Sequence, residues 1–247
     1  MDTSSPPNGS YEEKDLLFMN TLNNMLIKGN TMEEIQKYVS SETRRIFSSH
    51  GATIYVVSED KTKLILSYLD LMPDILRSVE TVLRMKIPPV EIHLQAPGLY
   101  YAILQAKEPV IINDSDKISE LASECTTNQN LKAFIPQIMS LTSMRSVMMV
   151  PLVYNDAPIG LLEISRGTEF TPQELSRFAI MASQVRSILV RKKEDDILKA
   201  KNVELEQMNQ VMVGRELRMT ELKAENERLK QQIAELTAKL NGSQNRQ

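Results

Sequence analysis

The feature that most constrains this chain is a heptad repeat over residues 191–240. Side chains at positions a and d recur with an average spacing of 3.5 residues, and one helix alone cannot bury a seam of that kind. We define the seam as Leu205, Met208, Met212, Met219, Leu222, Asn226, Leu229, Ile233, Leu236 and Leu240. The pattern predicts a coiled coil in which a second helix covers these residues.

Polar residues in the repeat favour a parallel two-stranded coiled coil. Asn226 occupies an a position, where one buried polar residue selects the register of a parallel dimer. Glu225 at position g would pair with Lys230 at position e of the partner helix. The middle of the repeat is weaker, because Arg215 occupies a d position beside Gly214. We therefore expect a homodimer whose pairing loosens near residues 213–215.

The charge pattern argues against a nucleic-acid partner. The formal charge is −3, and a DNA-binding zipper requires a basic stretch directly before its heptads. Here the basic residues 191–193 are followed at once by the acidic residues 194–196. Mixed charge of this kind does not neutralise a run of phosphates, so we exclude a zipper-type DNA-binding protein.

Other composition features predict a soluble, cytoplasmic protein. A single cysteine, Cys125, excludes an internal disulfide framework and fits a reducing compartment. Residues 1–10 lack the basic start and apolar run of a signal peptide and predict a disordered arm; residues 241–247 predict a disordered tail. No apolar stretch approaches the ~18 residues of a membrane-spanning helix, so no membrane partner is expected.

The remaining residues, 11–190, predict one α+β domain. Helices are expected at 11–28 and from a capping box formed by Thr31 and Glu34. Alternating and continuous apolar runs predict hairpins from 52–57 with 64–69 and from 146–154 with 159–164. Further elements are helices at 74–85 and 99–105, a short strand at 109–112, and a last helix capped by Thr171. Helices flanking a central antiparallel sheet of about five or six strands form an α+β fold.

Three segments carry a resemblance to a known family. Residues 146–165 and 170–175 resemble the last strands and final helix of a GAF domain, and 108–114 resemble the short strand before the ligand-facing loop in that family. The resemblance covers roughly 12–190 and implies a GAF-like antiparallel sheet with a small-molecule pocket between one face and its helices. Residues 212–222 are similar to linkers after sensor modules in prokaryotic histidine kinases.

Two residue pairs of this chain depart from the motif of the GAF domains that bind cyclic nucleotides. Cyclic-nucleotide-binding members carry an Asn-Lys pair, a Phe and an Asp-Glu pair. Here Ser165 and Arg166 replace the first pair, and Glu174 and Leu175 the last. An Arg166–Glu174 ion pair would retain the structural brace that this motif forms.

Cofactor and enzyme chemistry find little support in the sequence. Bilin-binding members place a histidine at or after the cysteine, whereas Thr126 follows Cys125, whose role stays open. One cysteine cannot complete the catalytic cycle of the methionine sulfoxide reductases of this fold. His50 and His93 lack metal-ligand spacing relative to Cys125. We therefore expect no enzyme and no metal, and no cofactor is required by the sequence.

The resemblance implies a pocket, and polar residues beside the apolar strands are its candidate contacts. By position these are Tyr100, Tyr101, Asn113, Asp114 and Arg145. A guanidinium such as that of Arg145 would clamp an anionic ligand. For each residue the alternative is a solvated loop side chain or a tyrosine at the edge of the core.

The sequence as a whole favours a non-catalytic cytoplasmic signalling protein. A GAF small-molecule sensor would dimerise and pass a change through the coiled coil to a separate effector, such as a histidine kinase or response regulator of a two-component system. The alternative is a scaffold or assembly protein whose empty GAF fold serves dimerisation only. The ligand is not identified by the sequence.

Overall fold

The computed structural model describes the backbone of residues 9–244 and the side chains of residues 13–236. The chain divides into two compact units, one ending at Lys192 and the other beginning at Lys193. The described backbone begins with a helix at Gly9 and ends with another helix at Gln244. The rest of the predicted arm 1–10 and tail 241–247 lies outside the described residues, as does the side chain of Leu240.

Eight helices are found in the described backbone. They are α1 (Gly9–Ile27), α2 (Met32–Ile46), α3 (Pro73–Leu83), α4 (Leu99–Ala106), α5 (Ser115–Glu124), α6 (Gln129–Lys132), α7 (Ile135–Thr142) and α8 (Pro172–Gln244).

Six strands of the described backbone form one antiparallel sheet in the order β3-β2-β1-β6-β5-β4. They are β1 (Gly51–Val57), β2 (Lys63–Leu71), β3 (Glu91–His93), β4 (Val110–Ile112), β5 (Ser146–Tyr154) and β6 (Ala157–Arg166). This arrangement confirms the predicted α+β class with its antiparallel sheet flanked by helices.

Local signals in the sequence set several element boundaries. The capping box of α2 is present: the Thr31 hydroxyl accepts from the Glu34 amide at 3.2 Å, and Glu34 Oε2 accepts from the Thr31 amide at 2.8 Å. The β5–β6 hairpin turns through Asn155 and Asp156, which both have positive φ (49° and 61°). Asn and Asp tolerate this left-handed conformation, which two-residue hairpin turns of the primed types require.

The sheet buries both of its faces, and each face has its own core. On one face the apolar residues of β1, β5 and β6 pack against α1, α2 and the beginning of α8; the buried aromatic side chains there are Phe18, Phe47, Phe170 and Phe178. On the other face the strands pack against α4 and α5, with Tyr100, Leu104 and Leu121 buried. The alternation of side chains along β1 and β6 supplies both cores.

The second unit consists of helix. Within the described side chains, the seam residues of α8 are exposed, and the apolar ones have exposed fractions between 45% for Leu222 and 63% for Ile233. The helix runs through Gly214 without a break. The loosening that we predict near residues 213–215 concerns the pairing of two helices and stays a prediction, as does the coiled coil itself.

Candidate functional site

A cavity of about 220 Å³ lies between one face of the sheet and helices α3 and α7. Its walls are formed by residues of β1, β2, β6, α3, α7 and the connecting segments. They are His50, Gly51, Thr53, Tyr55, Leu66, Leu69, Leu71, Ile75, Val79, Val90, Cys125, Ile138, Thr142, Met144, Glu163 and Ser165. Most of these side chains are apolar, so a polar group among them gains in influence.

Strand alternation places these residues on the cavity side. Gly51, Thr53 and Tyr55 of β1 line the cavity, whereas Ala52 and Ile54 between them are buried in the opposite core. In β6, Glu163 and Ser165 line the cavity in the same manner.

The register of β1 against β6 then brings one polar residue of each strand side by side. Thr53 pairs with Glu163 across the β1–β6 ladder. Close approach of the two strands depends on Gly160, because a Cβ atom there would overlap the carbonyl oxygen of Tyr55.

Glu163 is the carboxylate of the cavity. The hydroxyl group of Tyr100 donates a hydrogen bond of 3.0 Å to its Oε2 atom. Burial raises the pKa of Glu163 from 4.5 to about 7, while the Tyr100 hydrogen bond acts in the opposite direction. Glu163 therefore gains or loses its proton near neutral pH, and small changes in its surroundings would change its charge.

The aromatic and thiol groups around Glu163 are held neutral. The ring centroids of Tyr55 and Tyr100 lie 5.8 Å apart in an edge-to-face arrangement, and the Tyr100 hydroxyl lies 3.8 Å from Cys125 Sγ. Burial raises the pKa of Cys125 to about 12, and the negative charge of Glu163 adds to that shift. For the same main reason the pKa values of Tyr55 and Tyr100 lie well above 10.

A helix cap brings Tyr100 and Cys125 together. Glu124, the last residue of α5, accepts the backbone amides of Leu99 and Tyr100 at 2.6 and 3.3 Å through its two carboxylate oxygens. These amides open α4 and have no partner within that helix, so an acidic side chain there satisfies them and complements the helix dipole. Cys125 directly follows Glu124, and its position beside Tyr100 is fixed by the same contact.

The structure separates the five ligand-contact residues predicted from sequence. Tyr100 is 2% exposed and reaches the cavity through its bond to Glu163; Tyr101 is half-buried on α4. Asn113 and Asp114 are exposed: the first accepts a hydrogen bond from the Ser146 hydroxyl, and the second caps α5 through the Asp116 and Lys117 amides. None of the five is among the described residues that line the cavity.

The remaining residue, Arg145, is exposed and directly precedes β5, and its backbone amide donates to the carbonyl oxygen of Arg166 at 2.9 Å. A role for these residues in binding stays a prediction. Sequence reasoning missed Glu163, although a charged residue inside the apolar run 159–164 was a usable signal: a buried strand tolerates it only where it has a partner or a cavity.

The ion pair that the sequence predicts between Arg166 and Glu174 is present, and it lies outside the cavity lining. The guanidinium contacts both carboxylate oxygens of Glu174, at 2.7 and 2.9 Å, and also donates to the carbonyl oxygens of Phe47, Thr168 and Glu169. Its carbon Cζ lies 4.0 Å from the ring centroid of Phe170. The pair joins the end of β6 to the beginning of α8 and serves as a brace.

Comparison with protein-family models gives the class of the protein. The sequence model of the GAF domain matches residues 29–190, which is more than half of the chain. The chain therefore belongs to the GAF domain family. Domains of this family are mainly regulatory sensors, and some occur in enzymes or enzyme-associated proteins. Comparison with curated protein sequences gives no match.

Solved structures show the same fold at low sequence identity. A GAF domain of a phosphoenolpyruvate-protein phosphotransferase from Coxiella burnetii superimposes with a TM-score of 0.53 at 11% identity, covering 75% of this chain and 98% of its own. Free methionine-R-sulfoxide reductase from Neisseria meningitidis, in complex with its substrate, gives 0.53 at 12%, covering 79% and 98%. Residues 122 to 287 of a methyl-accepting chemotaxis protein give 0.50 at 16%, covering 74% and 99%.

Proposed function

We propose that this chain is a cytoplasmic, non-catalytic sensor that binds a small molecule in the cavity at Glu163, dimerises, and transmits the binding event to an effector protein. The observation that carries the proposal is the cavity itself. It lies against the sheet of a GAF domain, has apolar walls, and contains a carboxylate whose pKa of about 7 makes it responsive to a ligand.

Dimerisation is supported by the exposed seam of α8. Apolar side chains in one continuous stripe are unfavourable in water, and a second copy of the same helix covers them. The exposed fractions of Met219, Leu222 and Leu229 are 56%, 45% and 52%. Asn226, between the last two, would pair with its own copy in a parallel register.

The first unit offers a second contact surface for the same dimer. Leu16 and Leu17 on α1 are both 60% exposed, and Ile180 on α8 is 57% exposed. The two helices are tied together by Arg177, whose guanidinium contacts both carboxylate oxygens of Asp15 at 2.7 and 3.0 Å. We propose that this pair of helices packs against its counterpart in the partner subunit.

Strand β6 provides a route from the cavity to α8. Glu163 lines the cavity, whereas its neighbours Leu162 and Ile164 are buried in the opposite core, where Phe178 and Val185 of α8 pack. A displacement of β6 by a ligand would therefore act directly on the beginning of α8. A rotation or shift of the two paired helices is a two-state response that such a push would bias.

Two matched leucines test the dimer. Leu222 belongs to the seam, whereas Leu217 lies at an outward position of the same helix and is 62% exposed. Leu222→Asp would weaken the dimer at least about tenfold in sedimentation equilibrium, because it places a charge in the seam. Leu217→Asp would leave it within about threefold. Equal dissociation constants for the two variants would contradict the proposed pairing.

Binding in the cavity is tested by filling it. Val79 on α3 is 7% exposed and lines the cavity. A metabolite panel would contain members that raise the melting temperature of the wild type but not of Val79→Phe, because a ligand bound only to the folded state stabilises it. A panel without effect on the wild type would favour the scaffold function, in which the GAF fold serves dimerisation alone.

A further inference from the structure

The described residues that line the cavity include one carboxylate, Glu163, and no lysine or arginine. The walls are otherwise dominated by aliphatic side chains of β2, α3 and α7, including Leu69, Ile75 and Ile138. In a cavity of this kind the carboxylate would bind the charged end of a ligand, and the aliphatic walls would contact its apolar part.

We propose that the ligand of this cavity is a small organic cation: one ammonium group on an apolar body about the size of a substituted benzene. The inference rests on the proposed sensor function and specifies the chemical class of its ligand. The ammonium would bind Glu163, and the apolar body would contact the aliphatic walls.

The volume limits the body. A cavity of 150 Å³ lined by aliphatic and aromatic side chains holds one benzene molecule. The cavity here, about 220 Å³, has room for a benzene ring with a short polar substituent. Nucleotides and tetrapyrroles are far larger than this.

The hydrogen bonding of Glu163 leaves room for a donor. Within the described part of the chain, Tyr100 is the one residue that donates a hydrogen bond to this carboxylate, at 3.0 Å to Oε2. The other oxygen, Oε1, is therefore available to a ligand. An ammonium offers three N–H donors and a positive charge, and hydrogen bonds between two charged groups are the stronger ones.

Three of the groups around Glu163 stay uncharged near neutral pH. Tyr55, Tyr100 and Cys125 are acids whose raised pKa values keep them neutral. His50 also lines the cavity, and its Nδ1 lies 3.1 Å from the carbonyl oxygen of Thr142. An anionic ligand would meet the Glu163 carboxylate with no lysine or arginine among the described lining residues to offset it, and like charges in a partly desolvated site repel.

Three probes of nearly the same shape test the charge. Benzylamine, benzyl alcohol and benzoate share one ring and differ in the substituent, and isothermal titration at pH 8 measures each dissociation constant. At that pH Glu163 is ionised, and an alkyl ammonium keeps its proton. We expect benzylamine to bind at least about tenfold more tightly than benzyl alcohol, with benzoate the weakest of the three.

Two variants assign the preference to its cause. Glu163→Gln keeps the size of the side chain and would remove the advantage of benzylamine over benzyl alcohol. Val79→Phe fills the cavity and would abolish binding of both. At pH 5, where Glu163 is protonated, wild-type affinity for benzylamine would fall at least about tenfold, and the fall would be clearly smaller in Glu163→Gln.

The outcomes separate this inference from the proposed function. Binding of benzyl alcohol or benzoate as tightly as benzylamine, lost in Val79→Phe, would overturn the cation and leave the sensor cavity intact. A preference for benzylamine that survives Glu163→Gln would overturn the assigned contact. Absence of binding for all three probes would overturn the inference, and the metabolite panel would then decide the sensor function by itself.

Discussion

The hydroxyl group of Tyr100 lies 3.0 Å from Oε2 of Glu163 and joins helix α4 to strand β6 at the cavity. Without this donor a carboxylate in an apolar wall would be desolvated and unpaired, which is costly. Tyr100 is 2% exposed and packs against Tyr55, so its hydroxyl is held in place from both sides. In the proposed sensor, this pair is the reason why a ligand at Glu163 would act on β6.

The stability of the protein should depend on pH through Glu163. The pKa of Glu163 is about 7 in the folded protein and near 4.5 in the unfolded chain, because burial favours the protonated carboxyl group. Its contribution to the free energy of unfolding is therefore fully present below pH 4.5 and is lost as the pH rises to about 7. Urea denaturation at fixed protein concentration should show a fall in the free energy of unfolding of about 2 kcal/mol from pH 5 to pH 8, beyond that of Glu163→Gln. The exposed Glu108→Gln is the control and should retain the wild-type dependence.

The brace between Arg166 and Glu174 should be energetically coupled. Their side chains are 13% and 24% exposed and form two parallel hydrogen bonds. A double-mutant cycle with alanine should give a coupling free energy of about 1–2 kcal/mol in urea denaturation. The Arg77–Asp74 pair, 76% and 90% exposed, is the control and should give less than about 0.5 kcal/mol. Equal coupling in the two pairs would show that the brace is dispensable.

Cys125 should react slowly in the folded protein. Its pKa of about 12 reduces the thiolate that attacks an alkylating reagent. Mass spectrometry should show alkylation by iodoacetamide at pH 8 at least about 100-fold slower in buffer than in urea. As a control, Ala102→Cys at an exposed position, in a Cys125→Ser background, should react at nearly equal rates in buffer and in urea. Rapid labelling of native Cys125 would contradict its neutral, desolvated state.

Two glycines should respond in opposite ways to alanine. A Cβ atom at either Gly214 or Gly29 would meet nothing within 4 Å, but Gly29 has a φ of +75° whereas Gly214 lies within α8. Gly214→Ala should stabilise the helix by about 1 kcal/mol, and Gly29→Ala should destabilise the protein by a similar amount. Thermal melting followed by circular dichroism measures both. A loss of stability in Gly214→Ala would indicate that the second unit needs a break there.

Much of the fold follows from local sequence. The reciprocal Thr31–Glu34 cap and the β5–β6 hairpin are formed by neighbouring residues, so short patterns contain the information. Strand β3 was missed because it has only three residues, Glu91–His93, and exists through pairing with residues 63–65 of β2. Within residues 9–244, no helix combines the length and hydropathy that crossing a membrane requires.

The candidate site was less accessible to sequence reasoning. Whether Glu163 faces the cavity depends on the register that sets it opposite Thr53, and residues so distant in the chain leave no periodic signal. Asn113 and Asp114 follow a predicted strand, yet they bond to Ser146 and to the N-terminus of α5. Tyr100 was selected for its position on a short helix, while its partner was found only in the folded structure.

The most direct test is whether the cavity holds a ligand. Wild-type protein and Val79→Phe would be incubated with the same cell extract, purified under native conditions and denatured, and the released small molecules would be measured by mass spectrometry. The account predicts one molecule, an amine, released in stoichiometric amount from the wild type and absent from Val79→Phe. Equal release from both proteins, or none from the wild type, would contradict it.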